Sequence, residues 1–193
     1  MARPKSFDKG EILDIAMEAF WTTGFSSTGI ATLVEKMGLK PSSLYSAFGS
    51  KEALFLEVLN RYSEISLSQI DLILNSATSP LAGVQDLLNT IAMQAVDSVD
   101  CRGCLLVNTL LDGGCSYQSI QEATRAHLAK VESLIIDRLH QAQEQGELGA
   151  EKDIESMSAL FMTILWGLRV LARTNPEQTK VNAILTQAQV LFT

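Results

Sequence analysis

The sequence predicts an all-α protein of about nine helices. Three observations carry that expectation. Apolar residues recur at intervals of three and four along most of the 193 residues, the spacing of helical faces. No long run alternates β-branched with polar residues, so the strand signal is weak. The periodic runs are separated by glycine and proline punctuation, drawn from only 12 Gly and 4 Pro. At 47% hydrophobic residues the chain can bury a large interior.

The elements follow in order. Asp8 or Ser6 caps a first helix with Ile12, Ala16 and Phe20 inward, and Gly24 ends it. Thr28 is expected to cap a short second helix carrying Ile30, Leu33 and Val34, stopped at Met37-Gly38. Pro41 suits the first turn of a third helix, where a missing N–H costs nothing. Leu44 and Phe48 face inward there, Gly49 stops the helix and Ser50 caps the next. The fourth helix runs to Asn75, about 38 Å at ~1.5 Å per residue. After NSATSP, a fifth helix presents Leu81, Val84, Leu88, Ile91 and Ala95. DCRGC precedes a short helix LLVNTLL, Gly113-Gly114 break it, and a long helix follows with Ile120, Leu128, Val131, Ile135 and Leu139 inward. Gly146 and Gly149 precede an eighth helix capped by Asp153, and Thr174-Asn175-Pro176 leads into a last helix.

The net charge of −7 looks unfavourable for a partner rich in phosphate. The distribution removes the objection: residues 1–62 hold seven basic and seven acidic side chains, and the acidity lies beyond them. Arg3, Lys5, Lys9, Lys36, Lys40 and Lys51 are expected on one side, with Asp14 and Glu18 elsewhere. The greasy segment from Met157 to Ala172 is interrupted by Ser158, Thr163 and Arg169 and falls short of the ~20 residues of a membrane span. No signal-peptide pattern opens the chain, so a soluble cytoplasmic protein is expected. Three cysteines, an odd number, do not form a disulfide scaffold. One CxxC with a distant Cys115 and two scattered histidines, His127 and His140, makes no four-ligand metal site. No catalytic Ser/His/Asp set, phosphate loop or HExxH is present, so neither an enzyme nor a cofactor is expected.

Residues 28–48 form two short helices around Gly38-Leu39-Lys40, helix-turn-helix spacing in which the second helix enters the major groove. With Leu44 and Phe48 buried, Ser42, Ser43, Tyr45, Ser46 and Ala47 face outward. Small side chains let the helix axis approach the bases, serine hydroxyls donate or accept, and a methyl meets a thymine methyl. Tyr45 and Lys51 suit phosphates, as does the helix start at Ser50. The helix lacks Arg, Asn and Gln, the strongest base readers, which leaves shape and an Arg3/Lys5 arm as sources of specificity.

The stretch AMEAFWTTGFSSTGIATLVEKMGLKPSSLYSAFGSKEALF, with Ala19-Phe20, Gly24-Phe25, Thr28, Ile30-Ala31, Gly38-Leu39, Leu44-Tyr45, Phe48 and Lys51-Glu52-Ala53-Leu54, resembles the DNA-binding domain of the TetR/AcrR family of bacterial transcriptional regulators. The resemblance implies a homodimeric repressor that binds a palindromic double-stranded operator and releases it when a small, mostly apolar effector binds. It places Thr28, Lys40, Ser42, Ser43, Tyr45 and Lys51 at operator-contacting positions. With Pro41, Ser46 and Ala47 these make the expected DNA-binding set, within a domain over residues 1–52 followed by an effector and dimerisation domain over 53–193. It also implies a dimer built by the last two helices. The residues read for that interface are Ile154, Met157, Phe161, Ile164, Leu168, Leu171, Val181, Ile184, Leu185, Ala188 and Leu191.

Two further sites are read from the larger part. The space between helices five and eight is the default ligand site, with Met93, Leu105, Tyr117, Phe161, Met162 and Trp166 as its expected lining; each is also an ordinary core residue type. Cys101 and Cys104 lie at a helix start beside Arg102, where thiols become reactive. Thiol-based sensing therefore stands beside the plainer reading of a small core cysteine. A redox-active CxxC protein and a purely structural helical dimer are the rival functions, and neither gives residues 1–60 a purpose.

Overall fold

The computed structural model describes residues 8–97, 101–112 and 117–192, and only the backbone at residue 191. Among the described residues there are nine α-helices and no strand: α1 (Lys9–Thr23), α2 (Ile30–Met37), α3 (Pro41–Phe48), α4 (Lys51–Ser76), α5 (Pro80–Val96), α6 (Leu105–Leu111), α7 (Gln118–Glu144), α8 (Ile154–Leu171) and α9 (Gln178–Gln189). The Arg3/Lys5 arm, Ser6, the Gly113-Gly114 break and Cys115 lie outside the described residues.

The chain forms two compact units. The first comprises the described parts of residues 1–64 and 108–124, the second those of 65–107 and 125–193. In the first unit, Asp8 caps α1 by accepting the Gly10 N–H at 2.8 Å. The stripe of α1 is wider than its three expected positions, since Leu13, Met17 and Ala19 are buried with Ile12, Ala16 and Phe20. Phe20 and Phe25 pack on the Phe55 ring, with centroids 4.7 and 4.8 Å away. The expected cap of α2 is different. Gly29 holds the N-cap position without a side-chain bond. Thr28 instead donates back to the Gly24 carbonyl at 2.6 Å and lies 2.5 Å from the Thr23 hydroxyl.

The second unit is centred on α5, which packs against both α8 and α9. Its core joins Leu74 of α4, Leu87, Leu88 and Ile91 of α5, Ile135 and Leu139 of α7, Phe161 and Leu165 of α8, and Val181 of α9. Glu147 secures the start of α5 by accepting from the Ser79 hydroxyl at 2.7 Å and the Leu81 N–H at 3.1 Å. A carboxylate there also complements the positive end of the helix.

Two expectations about α8 and α9 change. Ile154, Phe161, Leu168, Val181 and Ala188 are buried in the chain's own core and so are unavailable to a partner. The 3–4 spacing found the inward stripe, because an inward stripe and a dimer stripe share one periodicity. Met157, Ile164, Leu171, Ile184 and Leu185 are half-buried, and the side chain of Leu191 lies outside the description. The exposed apolar positions of α8 are Leu160, Trp166 and Val170. The segment Ile154–Thr174 also has the length and mean hydropathy, 1.4, that a membrane span requires, contrary to the expectation that it falls short. Its core-facing stripe accounts for part of that hydropathy.

Gly83 of α5 lies directly against the backbone of α4. A β-carbon on it would lie 2.7 Å from the Leu74 carbonyl oxygen and 3.2 Å from the Leu74 α-carbon. Both contacts are with backbone, which cannot rotate away. Gly83→Ala should therefore lower stability by about 1–3 kcal/mol despite alanine's higher helix propensity, as read by chemical denaturation.

Candidate nucleic-acid interface

The turn between α2 and α3 is set by Gly38, whose φ of 63° lies in the left-handed region. Its N–H bonds to the Glu35 carbonyl at 3.2 Å, and the Leu39 N–H bonds to Val34 at 2.9 Å. Two carbonyls at the end of α2 are thereby satisfied in the turn itself. Pro41 opens α3 from an extended Lys40. Leu44 and Phe48, one helical turn apart, are buried and fix the rotation of α3 about its axis.

The opposite face is thereby exposed. Lys40, Pro41, Ser42, Ser46 and Ala47 are exposed and Ser43 is half-buried. Tyr45 is 49% exposed, high for an aromatic residue. At the start of α4, the Ser50 hydroxyl accepts the Ala53 N–H at 3.0 Å. The N–H groups of Lys51 and Glu52 precede the first intrahelical bond, a geometry that favours an anion.

Two cations stand over aromatic rings, Lys9 over Phe48 at 5.6 Å and Lys51 over Phe25. Lys51 is half-buried, with Nζ 4.5 Å from the centroid of the Phe25 ring. Burial lowers its pKa from the usual lysine value, and the charge of Asp112 acts against that shift. Phe25 also meets Tyr117 edge-on at 5.1 Å, and Ser119 donates to the Glu52 carboxylate. Sequence spacing did not reveal these partners from the α6–α7 region. They act on residues 61 to 92 positions away, beyond any local period.

Three expected positions change. Thr28 is 1% exposed and its hydroxyl is engaged within the chain, so it braces the α1–α2 turn and offers nothing outward. Lys36 lines one surface cleft with Asp8, Glu11, Asp14, Glu18 and Arg61, among the acidic residues expected to face elsewhere. Asp14 is bound by both arms of Arg61 at 2.6 and 2.7 Å, and that hydrogen bonding holds its carboxyl below the usual range. Lys9 pairs with Glu57 at 2.7 Å.

Comparison with known proteins identifies the arrangement. Residues 12–58 match the family profile of bacterial regulatory proteins, tetR family, and residues 80–188 match the tetracyclin repressor-like C-terminal domain. The chain belongs to the TetR family. It is a DNA-binding transcriptional regulator. It is 30% identical over 186 residues to the HTH-type transcriptional repressor ComR of Escherichia coli K12, covering 94% of this chain and 87% of that protein. A cysteine mutant of the TetR-family regulator CifR, solved with 26-bp double-strand operator DNA, is 32% identical with a TM-score of 0.87, over 97% of each chain. Reduced E. coli NemR shares the fold at 16% identity, with a TM-score of 0.85 and 94% coverage of each chain.

The six residues expected to line the ligand site differ in burial and in the unit they belong to. Tyr117 belongs to the first unit and packs on Phe25, while Met93 and Trp166 are 46% and 37% exposed. Leu105, Phe161 and Met162 are buried in the second unit. Cys101 is half-buried with a left-handed φ of 48°, a sparsely populated region for a residue with a side chain. Cys104 is buried immediately before α6. Among the described residues no group of three or more His, Cys, Asp or Glu side chains could hold a metal ion.

His127 is the polar residue of the second unit that the periodicity most plainly hid. It sits on the inward stripe of α7 between Thr124 and Val131, 5% exposed, and its Nδ1 is buried without a hydrogen-bond partner. Burial, assisted by the Lys130 charge, lowers its pKa to about 4. The unfolded chain takes up the proton near the ordinary value of 6.5, whereas the folded chain resists it. Stability should therefore be full above pH 6.5 and fall as the pH drops toward 4, by on the order of 2–3 kcal/mol. His127→Leu should flatten that part of the wild-type curve, measured by urea denaturation at several pH values.

Proposed function

We propose that this TetR-family protein is a cytoplasmic homodimeric repressor, and that its α3 face contacts operator DNA through Ser42, Ser43, Tyr45, Ser46 and Ala47. Lys40, Pro41 and Lys51 extend that contact to the flanking backbone. The observation that carries the reading is the exposure of this ridge of small hydroxyl residues around Tyr45, opposite buried Leu44 and Phe48. ComR is named a transcriptional repressor, and the CifR structure includes a 26-bp operator duplex, which support the same roles here. On this reading residues 1–52 bind DNA, and residues 53–193 bind the effector and pair the protomers.

The pairing surface we assign is the exposed face of α8 with the adjoining face of α9. Leu160, Thr163, Trp166 and Val170 are exposed along α8. Gly167 lies among them, and beyond its chain neighbours and the backbone of its own helix no atom lies within 4 Å of where its β-carbon would stand, which admits a second helix at close range. Beside this face, Ile164, Ala183, Ile184 and Gln187 line an open, largely apolar groove. A homodimer carries two α3 helices, and a palindrome offers successive major grooves ~34–36 Å apart per helical turn. An effector that prefers a different spacing weakens operator binding by the factor with which the operator weakens the effector. A small apolar compound or a thiol-reactive one acting at Cys101 and Cys104 fills that role.

Two measurements test the reading. A duplex enriched by the protein from a random oligonucleotide pool should be palindromic. Tyr45→Ala combined with Lys51→Ala should weaken its binding at least tenfold and reduce the salt slope by about one for each lost phosphate contact. Wild-type affinity in the double variant would overturn the docking. Val170→Asp should convert a dimer in sedimentation to a monomer, by placing a charge in a desolvated interface. A wild-type protein that sediments as a monomer would refute the pairing itself.

A further inference from the structure

Asp112, just beyond the last residue of α6, brings a carboxylate into the helix-turn-helix unit. Its backbone carbonyl accepts from the Ser26 hydroxyl at 3.2 Å. Its side chain fills the space where a β-carbon on Gly24 would stand, and Gly24 has a φ of 82°. A side chain at position 24 would be strained and would displace Asp112. The two residues are therefore fitted to each other.

The fit is electrostatically costly. Oδ2 of Asp112 is buried and has no hydrogen-bond partner, and an acidic group at a helix C-terminus opposes the helix dipole. Lys51 stands half-buried over the ring of Phe25, the residue that follows Gly24, and the Asp112 charge acts on it. Lys51 thus lies on the face of an aromatic ring and within the field of a carboxylate.

We propose that Asp112 is a positioning residue for operator binding, a counter-charge that competes with DNA phosphate for Lys51 and so sets how tightly the protein holds any duplex. The inference rests on the reading of Lys51 as a phosphate contact. A phosphate that recruits Lys51 must weaken its attraction to Asp112, and the affinity is lower by that amount. The competitor is a backbone-directed one, so it acts on all sequences alike and leaves the choice of operator to α3.

The test is a double-mutant cycle on the full-length protein, with fluorescence anisotropy on a duplex enriched from a random pool and on an unrelated duplex. Asp112→Asn should bind both about threefold to tenfold more tightly at low salt. The gain should shrink as salt rises and vanish in the Lys51→Ala background. Asp112→Ser repeats the measurement with a smaller side chain if asparagine packs badly against Gly24, and circular dichroism confirms folding of each variant. If both Asp112 variants bind as wild type or more weakly while Lys51→Ala is impaired, this inference is overturned and the operator reading stands. If Lys51→Ala binds as wild type, the phosphate contact is wrong and this inference falls with it.

Discussion

The burial of Leu44 and Phe48 is the constraint on which the rest of the DNA-binding half depends. Eight residues of helix have little stability of their own, and α3 persists because those two side chains are enclosed by the unit they belong to. Their separation of one turn allows a single rotation of the helix. That rotation decides that serines, Tyr45 and Ala47 are outside. A polar residue at either position would remove the anchor and free the ridge to turn. In the same unit Phe20 of α1 and Phe25 of the α1–α2 turn pack on Phe55 of α4.

Charge in this half is arranged by pairing rather than by quantity. Arg61 and Lys9 are held by acidic partners, and Lys36 borders an acidic cleft. The cations they carry add little outward field. Lys40 is exposed on the α3 side, and Lys51 is held over a ring. On the proposed docking, a protein of net charge −7 meets a polyanion through a few placed groups and the partial charges of helix starts. Such an interface relies on close fit, for which small side chains on α3 are suited.

The second unit follows a different logic. α5 is covered by α8 and α9, so its stripe is broad and its glycine at position 83 lets α4 approach. α8 must satisfy this core with one stripe while exposing Leu160, Trp166 and Val170 on another. Helical periodicity identifies the helix but not the surface each stripe meets, which explains why residues read as a dimer contact lie in the protomer core.

The sequence by itself determined the number and order of the helices, the helix-turn-helix and the outward face of α3. These depend on interactions within four residues: caps such as Asp8 and Asp153, the left-handed Gly38, and the Leu44–Phe48 spacing. Tertiary structure alone decided what lies far apart in the chain and close in space. It set Asp112 against Gly24 and Tyr117 against Phe25, and buried His127 on the α7 stripe without a partner for Nδ1. A polar residue reads the same in a sequence whether it faces water or another side chain. The difference is desolvation, and only the packed chain determines which groups lose their water.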